Sequence, residues 1–270
     1  MSIAKNSPTP RPAPEASVIF CVHRSNPHLR AAIQSVLAQT HADFEFLIGA
    51  NACSDEFMAE LRASTDDPRV RLFRTSLPQL AFTLNHLIEQ ASGELMIRMD
   101  SDDLCEPRRF ERLVAVAQER PDADVIGSWT TLIDEKDRVI GSFTPPVSAA
   151  AIRRRMLVSS PLAHPTVAFR KKFWIESRGY LGGFVSEDFD LWLRALSRGA
   201  TIINIPEPLV RYRVHAAQAS RSRLGYAETA AHWYRELLAR PSLYAAVGWI
   251  VASLKAVMMP ATHWVKRAFS

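Results

Sequence analysis

The chain is expected to form an α/β fold, a mostly parallel sheet flanked by helices and followed by a C-terminal helical extension. Three observations lead there. Over the first 120 residues, short apolar runs rich in β-branched residues alternate with segments whose apolar residues recur every three or four positions. The changes of period fall at a capping residue, a proline or a glycine. The length of 270 residues, 47% of them hydrophobic, suffices for one large core with an appendage.

The opening "MSIAKNSPTPRPAPEA" is proline-rich and lacks the apolar core of a signal peptide, so residues 1–15 are expected to be a disordered leader. "ASVIFCV" (16–22) is the first strand, and in the "SNP" that follows Asn26 caps a helix begun by Pro27, with Leu29, Ile33, Val36 and Leu37 at helical spacing. "FEFLIG" (44–49) is the second strand, and Ser54 caps the helix of Phe57, Met58 and Leu61. "RVRLF" (69–73) is the third, followed by a helix with Leu80, Leu84, Leu87, Ile88 and Ala91 on one face, stopped by Gly93. "ELMIRM" (94–99) is the fourth, after which Pro107 opens a helix bearing Phe110, Leu113, Val114 and Ala117. Strand-helix-strand units of this kind cross over with one hand, which gives parallel strands with helices on both faces.

Beyond Pro121 the alternation loosens. "DVIGSWTTLIDEKDRVIGSF" predicts a hairpin turning at "DEKD", and Ile152 to Val158 a short helix. No repeat or linker interrupts residues 120–223, so 16–223 is assigned to one domain and 224–270 to C-terminal amphipathic helices. Within those helices Ser242 to Leu254 is the longest charge-free piece, shorter than the roughly 20 residues a membrane span needs. Trp249, Trp264, Lys255, Lys266 and Arg267 suit a helix lying in a membrane interface, and the same pattern suits a helix packed on the domain.

Three cysteines, Cys21, Cys53 and Cys105, make neither a disulfide framework nor a zinc cluster, and they fit a reducing compartment. The net charge is +5, with "RRR" (153–155), "RKK" (170–172), "RYR" (211–213) and "RSR" (221–223) all in the second half. That field favours phosphates, nucleic acid or an anionic membrane. No helix-turn-helix, zinc finger or RNA-binding aromatic motif accompanies it, so nucleic acid is not the expected partner.

The chemistry concentrates in "MIRMDSDDL" (96–104), where Asp100, Asp102 and Asp103 end a buried strand. In open α/β sheets ligands bind beyond the carboxyl ends of the strands. Carboxylates there can hold a divalent cation completed by substrate phosphates, or one of them can cap the helix after Pro107. Two carboxylates a few ångströms apart repel by about 4 kcal/mol at an effective dielectric near 20, so three together ask for a cation. In "GGFVSEDFDLWLRAL" (182–196), Glu187, Asp188 and Asp190 open a helix with a broad apolar face. The helix dipole alone favours acids there, and one of them beside a phosphate-binding cleft can also serve as a general base. Spacing does not choose between Glu187 and Asp188.

In this order the segments resemble the family 2 glycosyltransferases, inverting enzymes with the Rossmann-like GT-A fold that use a nucleotide-diphospho-sugar. The likeness spans about residues 16–216. It rests on "ASVIFCVHRSNPHLRAAIQSVLAQTHADFEFLIGANACSDE", "GELMIRMDSDD", "HPTVAFRKKFW", "RGYLGGFVSEDFDLWLRAL" and "YRVH". The resemblance implies that Val22, His23, Arg24 and Asn51 flank the nucleotide, that Asp100 and Ser101 lie at the ribose and diphosphate, and that Asp102 ligates Mg²⁺ or Mn²⁺. It implies Asp188, in the Glu187–Asp188 pair, as the catalytic base. Arg98 and His215 are further candidates for the diphosphate or the metal.

Where relatives often carry two aspartates after the second strand, this chain has Ala50-Asn51. The implied donor is a nucleotide-sugar, a UDP-sugar first, and the implied acceptor a glycan or lipid-linked saccharide of cell-surface polysaccharide synthesis. The expected location is the cytoplasm, peripheral on the inner face of the membrane if the C-terminal helices rest there. A nucleotidyltransferase would share sheet, metal and nucleotide, but "VHRSNPH" has no glycine for a phosphate loop. A non-catalytic membrane-associated scaffold is the other alternative.

Overall fold

The computed structural model describes residues 13–215 and 223–268, with side chains described as far as residue 258. Most of the expected leader, together with Trp264, Lys266 and Arg267, therefore lies outside the residues whose side chains are described. Glu15, the last residue of the expected leader, donates its amide to Asp43 and accepts from Gln118 through its carboxylate.

The first half alternates as the sequence implies. Strands β1 (Ala16–Val22), β2 (Phe44–Asn51), β3 (Val70–Thr75) and β4 (Leu95–Asp100) are separated by helices α1 (Leu29–Leu37), α2 (Asp55–Ala63) and α3 (Leu80–Gln90). The two-residue strand β5 (Leu104–Cys105) and α4 (Arg109–Glu119) follow. Ser54 caps α2 by accepting from the Phe57 amide at 3.2 Å. Asn26 does not cap α1: its side chain accepts from the His28 amide at 2.9 Å, closing a turn, and the helix starts at Leu29.

The second half contains the hairpin β6 (Val125–Ile133) and β7 (Val139–Phe143), α5 (Ala149–Met156), β8 (Ala168–Arg170), α6 (Lys171–Glu176), α7 (Glu187–Ser197) and the long β9 (Ile202–Arg213). The sheet runs β3-β2-β1-β4-β8-β6-β9-β5, with β7 on β6. The pairings point β1, β2, β3, β4, β6 and β9 one way, and β5, β7 and β8 the other.

Side chains alternate across the strands and so serve two cores. Val18, Phe20, Phe46 and Ile97 pack on one face with Ile33, Val36, Phe110 and Leu113. Ile19, Leu47 and Met96 pack on the other with Leu84, Leu87, Trp192 and Leu193. The chain leaves β1 for β2 on one side, and β4 joins β1 on the other. The crevice at the carboxyl ends of β1 and β4 is thus the point where strand order reverses, and there Cys21 faces Asp100.

Helices α8 (Arg223–Ala239) and α9 (Leu243–Ala268) lie against the second core through Trp233, Ala245 and Ala252. The Trp233 ring meets Phe189 and Tyr244 edge-on. The inner face of the extension is thus packed on the domain, while Leu243 stands 83% exposed and Ile250, Leu254 and Val257 are also open. Among the described residues no helix is long and apolar enough to cross a membrane.

Candidate active site

Each acid that ends β4 has its own partner. Asp100 is paired with Arg98 at 2.6 Å. Asp102 Oδ2 lies 2.7 Å from His215 Nε2. Asp103 accepts the Arg213 amide at 2.7 Å, and burial next to Asp100 and Asp102 pushes its carboxyl well above the usual range. Arg213, 1% exposed, also donates to the Asp102 and Asp134 carbonyls and to the Asp137 carboxylate, tying the acidic turn to the β6–β7 hairpin.

The three acids expected to share a cation each have a protein contact here, and Asp103 Oδ2 is buried without a hydrogen-bond partner. Arg98, His215 and the Arg213 amide divide the charge, and among the described residues no group of three His, Cys, Asp or Glu side chains is placed to hold a metal. None of the acids caps α4, whose first turn has no side-chain cap. Asp102 and His215 remain as a two-ligand set, both about a quarter exposed. One oxygen and one nitrogen ligand fit a divalent ion of the Mn²⁺ type that keeps its other positions for phosphate oxygens.

Around the crevice, Val22 is buried, while His23 and Arg24 lie exposed in the loop after β1. Asn51 ends β2 beside Thr75, and its Oδ1 is buried without a hydrogen-bond partner. The Ser101 carbonyl accepts from Asn26 at 3.4 Å. These residues mark the carboxyl ends of three adjacent strands.

A cavity of about 1110 Å³ is lined by Arg98, Asp100, Glu187 and Asp188 together, and Val22, His23, Arg24 and Ser101 are not among its lining residues. Segments 98–100 and 187–188, remote in sequence, thus meet on one wall. Asn51, Asp102 and His215 do not line it. Arg98 is 2% exposed, and its Nε and Nη1 lack partners. A buried guanidinium with unspent donors on a cavity wall suits an anion.

Glu187 and Asp188 open α7 as read from sequence. Burial, then the neighbouring Asp188, pushes Glu187 up to about 7. Burial likewise raises Asp188, against the hydrogen bond from the Phe189 amide at 2.7 Å and the charge of Arg98. Carboxyls so raised are stronger bases near neutral pH.

Sequence reasoning missed His164, Tyr180 and Tyr212. His164 sits 3.9 Å from Glu187 and 2.9 Å from the Tyr180 hydroxyl, and burial and Arg98 hold it neutral, well below its ordinary 6.5. Tyr212, on β9, completes the wall near the acids. The signal was faint: the histidine of "HPTVAF" and the tyrosine of "YRVH" are single residues whose neighbours come from other segments.

The family model for glycosyl transferase family 2 matches residues 17–179. This chain belongs to glycosyltransferase family 2. It is 35% identical to the O-antigen biosynthesis glycosyltransferase WbnJ of Escherichia coli, over 84% of this chain and 90% of that one. It is 28% identical to a UDP-Gal:alpha-D-GlcNAc-diphosphoundecaprenol beta-1,3-galactosyltransferase of Escherichia coli, over 77% of each chain. Among solved structures, S. aureus TarS in complex with UDP-GlcNAc superposes with a TM-score of 0.65 at 15% identity, covering 90% of this chain and 81% of that one. The mannosyltransferase PcManGT from Pyrobaculum calidifontis, in complex with GDP-Man and Mn²⁺, gives 0.65 at 14% identity, covering 93% and 72%. These likenesses establish the fold, which is GT-A.

Proposed function

We propose that this glycosyltransferase is inverting, and that it moves a sugar from a UDP-sugar to a hydroxyl of a lipid-linked saccharide in O-antigen or related polysaccharide synthesis. One observation carries the reading: Asp100 with Arg98, at the strand-order reversal, and Asp188, on α7, open on one cavity. Family membership and the names of the two Escherichia coli relatives support donor and acceptor class.

In this reading Val22 to Arg24 and Asn51 hold the nucleotide, and Arg98, Asp100 and Ser101 the ribose and diphosphate. Asp188 accepts the proton of an acceptor hydroxyl, whose oxygen bonds to the anomeric carbon on the face opposite the diphosphate. The bond from that carbon to the diphosphate oxygen breaks, and the nucleoside diphosphate leaves with the electron pair. Configuration inverts in this single displacement, and no covalent sugar-enzyme bond forms. Glu187, held beside neutral His164, orients the acceptor, and burial keeps Asp188 basic. Asp102 and His215 are the residues that would hold Mg²⁺ or Mn²⁺, which when bound supplies Lewis-acid neutralisation of the leaving diphosphate.

The test is titration calorimetry of the full chain with UDP-, GDP- and dTDP-sugars, in Mn²⁺ and in EDTA, on wild type and Asp102→Ala. Manganese-dependent binding of a UDP-sugar, lost in the variant, is expected. Binding of no nucleotide-sugar under any condition would overturn the donor assignment.

A further inference from the structure

A second cavity, of about 820 Å³, adjoins the first, and the two share Phe143, Leu162, Val185, Asp188 and Tyr212 as wall residues. Its size falls in the ~300–1,000 Å³ range of small-molecule sites. The chemistry of the two cavities differs. Among the described residues, the first sets four carboxylates, Asp100, Glu187, Asp188 and Glu228, against the single cation Arg98. Among the described residues, the second has Asp188 as its one acid and two cations, Arg155 and Lys255. An anion that arrives with its own metal can tolerate the first, whereas an anion without a metal is attracted to the second.

The C-terminal extension builds this second cavity. Tyr226 and Trp233 of α8 and Lys255 of α9 face the loop after α5, while Tyr212 and Phe189 close the side next to Asp188. Contacts between α5 and α9 hold the walls together: Tyr244 donates to the Arg153 carbonyl at 2.7 Å, the Arg153 guanidinium lies 4.3 Å over the Tyr244 ring, and Lys255 donates to the Val158 carbonyl. Aromatic rings next to a general base suit the apolar faces of sugar rings. Ser159 also lines the cavity, and its buried hydroxyl has no partner. Arg155 is exposed and projects a guanidinium, the group best matched to phosphate oxygens.

We propose that this second cavity is the acceptor subsite, and that it selects a saccharide whose reducing end carries a phosphate or diphosphate ester, bound by Arg155 and Lys255 while the sugar lies against Tyr212 and Phe189. The proposal rests on the glycosyltransferase reading for the role of Asp188. The extension is then part of the substrate site, and the two cations measure the distance from phosphate to the hydroxyl that reacts.

The experiment is calorimetric titration of the full chain, saturated with UDP and Mn²⁺ to fill the donor side, with octyl diphosphate and with the neutral octyl glucoside. Wild type is expected to bind octyl diphosphate, and the double variant Arg155→Gln, Lys255→Gln to bind it at least tenfold more weakly. The charge-keeping pair Arg155→Lys, Lys255→Arg is expected to stay near wild type, and UDP affinity and octyl glucoside binding to be the same in all three. Unchanged octyl diphosphate affinity in the Gln variant overturns the proposal. So does its weakened flotation with phosphatidylglycerol vesicles alone, which would assign the cations to lipid headgroups. Failure of UDP to bind, with octyl diphosphate still bound, would remove the donor reading and leave the anion site standing.

Discussion

Asp188 and Glu187 are neighbours in sequence, and at the residue scale their environments separate their tasks. Asp188 lines both cavities, whereas Glu187 lines only the first and sits against His164. Asp188→Asn keeps shape and the amide contact but removes the base, so turnover should fall by at least ~10²-fold. Calorimetric affinity for a UDP-sugar should stay within about threefold, and a variant retaining most of its turnover would refute the assignment. Glu187 makes a different prediction. With its carboxyl pushed up from 4.5 to about 7, the folded chain holds this proton more tightly than the unfolded chain does. Stability from this group is therefore full below pH 4.5 and is lost as pH rises through 7. Glu187→Gln should remove that loss, raising stability by about 1–3 kcal/mol at pH 8 and by less near pH 5. Urea denaturation at the two pH values reads the difference, and an equal effect at both would show that the carboxyl titrates normally.

At the scale of elements, what was legible in the sequence was what repeats locally. The strands β1 to β4 and their helices follow from periodicity, Ser54 from capping chemistry, and the β6–β7 hairpin from its polar turn. Two classes of feature were hidden. Strands β5 and β8, of two and three residues, are too short to show a period, and they exist because β9 pairs with β5 while β4 and β6 pair with β8 from either side. The partners of the acids were hidden because Arg213 and His215 lie more than a hundred residues from Asp102 and Asp103, so only folding shows which groups meet them. The α8–α9 contact is hidden in the same way. A Cβ at Gly248 would stand 2.5 Å from the Trp233 ring, and Trp233 is 1% exposed, so α9 lies against α8 only because residue 248 is glycine. Gly248→Ala should improve helix propensity by under about 1 kcal/mol yet cost ~1–3 kcal/mol by overpacking. A lower urea midpoint with altered near-ultraviolet tryptophan dichroism is expected, and a stabilised variant would show that the two helices are not fixed against each other.

For the whole molecule, charge and apolar surface are gathered on one side. Arg153, Arg154 and Arg155 are exposed at the end of α5, and Tyr244 ties α5 to the start of α9. Along α9 the exposed Leu243, Val247, Ile250, Leu254 and Val257 recur at helical spacing as one stripe. An apolar stripe beside basic residues is the form of a helix that lies in an anionic membrane interface. A surface of this kind would present the second cavity, built by the same α5 and α9, to acceptors held in the bilayer. Basic residues near an anionic leaflet contribute about 1 kcal/mol each, so Arg153 and Arg154 together amount to about 30-fold in partitioning. The full chain should float with phosphatidylglycerol vesicles, more weakly as salt rises, and not with phosphatidylcholine alone. Arg153→Gln with Arg154→Gln should reduce flotation at low salt, whereas Ile250→Glu with Leu254→Glu should reduce it at all salt concentrations. Both pairs leave UDP-sugar binding intact if the surface serves only to dock. Equal flotation with neutral vesicles, or indifference to both pairs, would mean that the stripe is covered by something other than lipid.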